Sequence, residues 1–103
     1  MCARFGVAPF PCDGEDKLGV ALQTLNDVPL HGLRHSPEDG TTGWFIWAGE
    51  WQDDGDFFQP LHVRHLHDHC PAALPYLGLP PGWRFLLAPG HEDVWFDPTL
   101  LGV

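Results

Sequence analysis

Two short apolar runs, each holding a Gly-Trp pair, constrain this chain more than anything else in it. They are Gly43-Trp44-Phe45-Ile46-Trp47-Ala48-Gly49-Glu50 and Leu79-Pro80-Pro81-Gly82-Trp83-Arg84-Phe85-Leu86-Leu87. Runs this short, rich in aromatics and bounded by glycine, fit buried strands entered from tight turns. Within residues 44–48, Trp44 and Ile46 alternate with Phe45 and Trp47, so both faces carry bulky apolar groups. A strand apolar on both sides lies inside a sheet and is covered twice. Eleven prolines and twelve glycines in 103 residues argue against a helical bundle and for short elements joined by many turns.

The remaining stretches give the order of elements. Residues 1–16, with Pro9, Pro11, Gly14 and the acids Asp13, Glu15 and Asp16, read as an irregular N-terminal arm; residues 17–103 read as one domain. The alternation of Leu18, Val20 and Leu22 predicts a strand over residues 17–25. Asn26-Asp27 then supplies turn chemistry, and a second strand over 30–35 is expected to run antiparallel to the first. Asp56 with Gln59 has the spacing of a capping box, followed by a helix over 62–69 that ends before Pro71. A second helical turn over 72–77, a strand over 83–87, a Pro89-Gly90 turn and a last short strand at 94–96 complete the reading. The fold class is α+β: a small, mainly antiparallel sheet of about four to six strands with one or two short helices on one face.

Charge sets the class of partner. Lysine and arginine total 5 against 14 acids, a net charge of −9 with neutral histidines. Phosphate recognition depends on clustered Lys and Arg, so nucleic acid and acidic membrane surfaces are excluded as direct partners. A basic protein would be steered towards this surface. Cys2, Cys12 and Cys70 cannot all pair within one chain and lack Cys-x-x-Cys spacing, which suits reduced thiols in the cytoplasm. The N-terminus has no signal-peptide run, and nothing approaches the roughly 18 apolar residues of a spanning helix.

Chemistry-bearing patterns are few. On a helix, His62, His65 and His69 would share a face, and His65 with His69 has the i, i+4 spacing that can bite zinc. The glutamate base of a His-Glu-x-x-His motif is missing, so the plainer reading is a solvent-facing, histidine-rich helix without metal or other cofactor. Asp53-Asp54-Gly55-Asp56 is not an EF-hand, since the twelfth place holds Arg64 or His65 rather than glutamate. Ser36, the only serine, lacks a nucleophile elbow, Cys70 falls on a buried face before a proline, and no P-loop is present. No catalytic residue is assigned. Trp44, Trp47, Trp83 and Trp95 are expected in the core, and Arg34 and Arg84 in ion pairs with Glu50 or Asp97. Glu50, Trp51, Asp53, Asp54 and Asp56 form the candidate contact surface, an apolar anchor set among carboxylates.

Gly32-Leu33-Arg34-His35, the 43–50 run, Asp56-Phe57-Phe58-Gln59-Pro60-Leu61-His62-Val63, Cys70-Pro71, Tyr76-Leu77-Gly78-Leu79-Pro80-Pro81-Gly82-Trp83-Arg84-Phe85 and Glu92-Asp93-Val94-Trp95-Phe96-Asp97 follow one another in a distinctive order. In this, residues 18–100 resemble the bacterial polymorphic-toxin immunity domain numbered thirty-three, formerly a domain of unknown function. The resemblance implies a non-catalytic immunity protein that binds and neutralises a cognate toxin, and the net charge of −9 suits a basic one. The alternatives are an orphan protein-binding or structural domain, and a metal-binding module on the histidine segment.

Overall fold

The computed structural model describes residues 6–10, 12–37, 40–50 and 57–101. Six strands form one sheet: β1 (Lys17–Val20), β2 (Leu30–Arg34), β3 (Thr41–Ala48), β4 (Gln59–His62), β5 (Trp83–Ala88) and β6 (His91–Phe96), in the spatial order β4-β1-β3-β2-β5-β6. The run that is apolar on both faces, β3, is therefore interior, as its pattern requires. It pairs parallel with β1 and antiparallel with β2; every other pairing is antiparallel. One short helix, α1 (Leu66–His69), and a 3-10 segment, Pro71–Tyr76, lie between β4 and β5.

Alternation along β3 divides the interior. Trp44, Ile46 and Ala48 join Leu18, Val20, Leu30 and Phe85 beneath Leu66, Cys70, Ala73, Tyr76, Leu77 and Leu79. Trp47 points the other way, to Ala21, Leu33 and Phe57, with Phe45, Phe58 and Leu100 packed around them. Each large side chain buried here contributes about 1.5–3 kcal/mol relative to exposure. The helical pieces therefore cover one face of the sheet, which completes the α+β class.

Both Gly-Trp glycines take backbone angles that side chains resist, with φ of +86° at Gly43 and +94° at Gly82. At Gly43 a Cβ would lie 2.1 Å from the His35 carbonyl oxygen, so the strand crosses its neighbour only without one. Gly82 donates its N–H to the Arg34 carbonyl at 2.7 Å, hooking the start of β5 onto β2. The two glycines thus set the entry of each tryptophan strand.

Arg34 departs from the expected ion pair. It is buried, at 1% exposure, and meets no carboxylate among the described residues. Instead its Nε donates to the Thr42 carbonyl at 2.8 Å, and Nη1 to the carbonyls of Phe10, Leu77 and Leu79 at 2.6, 3.1 and 2.9 Å. Its guanidinium also lies over the Phe10 and Trp44 rings, 4.9 and 5.7 Å from their centroids. Converging carbonyl dipoles replace the missing counter-ion. Phe10 and Cys12 are fastened at the same place, since Phe10 donates its N–H to the Gly78 carbonyl and Cys12 its thiol to the Leu77 carbonyl.

Other expectations are corrected. β1 stops at Val20 and gives way to a 3-10 turn at Leu22–Thr24. It does not form a hairpin with β2, because β3 lies between them. Gln59 starts a strand rather than closing a capping box, and Asp56 falls outside the described residues. The expected 62–69 helix is divided among the end of β4, a 3-10 turn at Val63–His65 and α1. Trp95 is not a core residue: it lies on β6 with 38% of its surface exposed.

Candidate binding surface

Of the five residues read as a contact surface, Glu50 is described; Trp51, Asp53, Asp54 and Asp56 lie outside the described residues. Glu50 is exposed at the end of β3, where Gly49 turns the chain at φ +73° and donates its N–H to the Pro29 carbonyl at 2.9 Å. Thr24 sets the neighbouring segment in place. Its hydroxyl donates to the Ala21 carbonyl at 2.8 Å and accepts from the Ala48 N–H at 2.9 Å. The Thr24 carbonyl in turn accepts from Asp27 N–H at 2.8 Å. That chain of bonds brings Asp27 against the end of β3: its Oδ2 lies 3.5 Å from where a Gly49 Cβ would stand. Val28 beside it is 64% exposed. No described cation pairs with Asp27 or Glu50.

Behind this acidic end stands His31 on β2. Its ring stacks on Trp47, with centroids 4.8 Å apart and planes 18° from parallel. Burial, and then the positive charge of Arg84, hold it below its ordinary value of 6.5, against a hydrogen bond with the Gly49 backbone. The ring is accordingly neutral at pH 7 and adds no cation to the carboxylates. Arg84 meets Asp97 at 3.2 Å, the pairing expected for it, and lies 5.3 Å from the Trp95 ring centroid. A hydrogen bond from the Thr99 hydroxyl, with Arg84 helping, lowers the Asp97 carboxyl below its usual range.

The three histidines considered for metal do not share one helix face. His62 ends β4, His65 ends a 3-10 turn and His69 ends α1. The His62 and His65 rings come within 6.2 Å of each other. Among the described residues no group of three His, Cys, Asp or Glu side chains is placed to hold a metal ion. Cys70 is buried beside Leu66, and burial pushes its thiol above 9.0, away from the reactive thiolate.

At the opposite end of the sheet a groove of about 500 Å³ opens where the β1–β3 register slips between Lys17 and Gly19. Phe45, Phe58 and Pro60 line it, and Lys17, His35, Ser36, Thr41 and Gln59 supply its polar side chains. The described surface thus carries an acidic end at Asp27 and Glu50 and, at the other end of the sheet, a groove lined by aromatic rings. The family model of the Imm33-like domain matches residues 1–97. The chain belongs to the Imm33-like family.

No curated protein and no solved structure matches this chain. The Imm33-like match takes in residues 1–16, ahead of the motifs that carry the resemblance in the sequence, and the bond from Arg34 to the Phe10 carbonyl is the physical reason for counting Phe10 with the fold. No described helix is long and apolar enough to cross a membrane. Asp27 and Val28 escaped the sequence reading because Asn26-Asp27 signals a turn whatever that turn lies against. The available cue was Val28 itself, an apolar side chain set between two turn-forming residues.

Proposed function

We propose that this Imm33-like protein is an immunity protein that acts by binding, without catalysis, and neutralises a cognate protein toxin. Family membership supports the class. The observation that carries the mode of action is the placing of Asp27 against Gly49, the residue before Glu50 and shortly ahead in sequence of Asp53, Asp54 and Asp56. In a chain of net charge −9, an acidic sequence run following this point suits a basic partner, with Val28 and Trp51 as apolar anchors. Carboxylates set into a basic toxin groove would block access of the toxin's own substrate.

The test is co-expression with protein toxins encoded beside this gene, read as rescue of growth and as a purified complex. Asp27→Lys/Glu50→Lys should slow association at least tenfold at low salt and weaken rescue. Failure of both rescue and complex formation with every neighbouring toxin would defeat the reading.

A further inference from the structure

The two edges of the sheet are unlike. β4 is four residues long, carries Pro60, which has no N–H to offer, and runs directly into a helical turn. β6 has six residues, no proline, glycine or lysine, and an unbroken register with β5 from Trp83↔Phe96 to Ala88↔His91. The direction of its main-chain groups follows from one bond: Asp97 donates its N–H to the Gly82 carbonyl at 2.6 Å. In an antiparallel ladder bonded pairs recur every second residue, so Trp95, Asp93 and His91 turn their N–H and C=O groups inward to β5. Val94 and Phe96 turn theirs outward, to the edge that no described strand pairs with.

The side chains around that edge are those of a docking strand. Trp95 and Phe96 are 38% and 48% exposed, two of the large apolar side chains most open to solvent, and they point to opposite faces of the sheet. Phe96 leans over Gly82 and lies 6.0 Å from the Trp83 ring, and Trp95 lies against Arg84, so each ring flanks the edge on its own face while packed on β5. Glu92, Asp93 and Asp97 lie along the same edge, where Glu92 accepts from the Tyr76 hydroxyl, Asp93 meets His91 at 2.8 Å and Asp97 meets Arg84 at 3.2 Å, so a basic strand would share carboxylates that already hold partners.

We infer that the β6 edge takes up an extended strand of a protein partner that carries lysine or arginine, by main-chain bonding at Val94 and Phe96. The choice of a basic strand over a second copy of this chain rests on charge, since each copy carries −9. This deepens the immunity reading by naming how the toxin is held, and rests on that reading for the toxin as the natural partner.

Val94→Pro is the discriminating variant, because it removes an outward N–H and leaves the inward β5–β6 bonds in place. The probe is a fluorescein-labelled ten-residue peptide alternating lysine with valine and threonine, alongside an acidic peptide of the same pattern. Anisotropy should show binding of the basic peptide at least tenfold tighter than of the acidic one. Hydrogen exchange at the Val94 and Phe96 amides should slow at least fivefold on binding. Val94→Pro should weaken binding at least tenfold with unchanged circular dichroism, while Glu92→Gln/Asp93→Asn, which leaves the backbone intact, should weaken it in a salt-dependent way. Equal binding of both peptides, absence of protection at Val94 and Phe96, or full binding by a folded Val94→Pro protein would each overturn the proposal. So would a dimer in sedimentation that Val94→Pro abolishes, since the occupant would then be a second copy. A toxin neutralised equally by Val94→Pro sinks the edge proposal alone; peptide capture at the edge without any toxin rescue sinks the immunity reading alone.

Discussion

Arg34 shows how a single residue fixes more of this fold than its neighbours in sequence suggest. A buried guanidinium without a carboxylate is stable because four carbonyls from three separate segments turn towards it. Substitution by methionine leaves those carbonyls without their donor, and each such loss costs about 1–3 kcal/mol. Arg34→Met should therefore lose about 3–5 kcal/mol in urea denaturation. Arg34→Lys should recover only a small part, since a point charge cannot reproduce the fork. His31 makes a second prediction at this scale. Its folded pKa lies below the unfolded 6.5, so the unfolded chain takes up the proton first as pH falls. Stability should be unaffected by His31 above about pH 7, decline as pH falls through 6.5, and level off below the depressed folded value. Thermal melts from pH 8 to 5 check this: His31→Phe, which keeps a ring on Trp47, should remove that part of the decline.

At the scale of elements, legibility followed locality. β3 was readable because Trp44, Phe45, Ile46 and Trp47 carry on both faces the information that the strand is interior, and it lies third in the sheet. β5 and the Arg84–Asp97 pair were readable for the same reason, both lying in one hairpin and its flank. The β1–β2 hairpin was misread because Asn26-Asp27 closes a turn that packs on β3, and nothing local to residues 17–35 announces a strand arriving between them. The histidine segment was misread because helical spacing starting at His62 continues a pattern across a strand end. Of the candidate surface, the carboxylate at Glu50 was legible as charge beside a strand; Asp27 was not, because a non-local bond through Thr24 places it there. The arm carries this scale's prediction. Deleting residues 1–11 removes the Phe10 carbonyl and ring from Arg34 and its N–H from Gly78. The shortened chain should lose about 2–3 kcal/mol of stability in urea, a hydrogen bond to a charged group plus a cation–π contact. Unchanged stability would mean that Arg34 finds its fourth acceptor in solvent.

For the whole molecule, charge and function pull in opposite directions. Fourteen acids against five basic residues repel one another within a folded chain whose Cα radius of gyration is 12.7 Å. Neither Asp27 nor Glu50 is offset by a described cation, and burial holds the His31 ring on β2 below its ordinary value. Carboxylates without an offsetting cation should cost stability at low salt, which salt-dependent melting checks. Raising sodium chloride from 20 to 300 mM, which shortens the screening length from about 20 Å to about 6 Å, should raise Tm. Asp27→Lys/Glu50→Lys should melt at or above the parent at 20 mM salt and lose that advantage at 300 mM. The same variant should associate more slowly with a basic toxin. A variant that instead melts lower at both salt concentrations would show the carboxylates holding the fold together, and would remove the electrostatic argument for the surface. Higher stability joined to weaker binding is the outcome that charge on the open end of a small sheet requires.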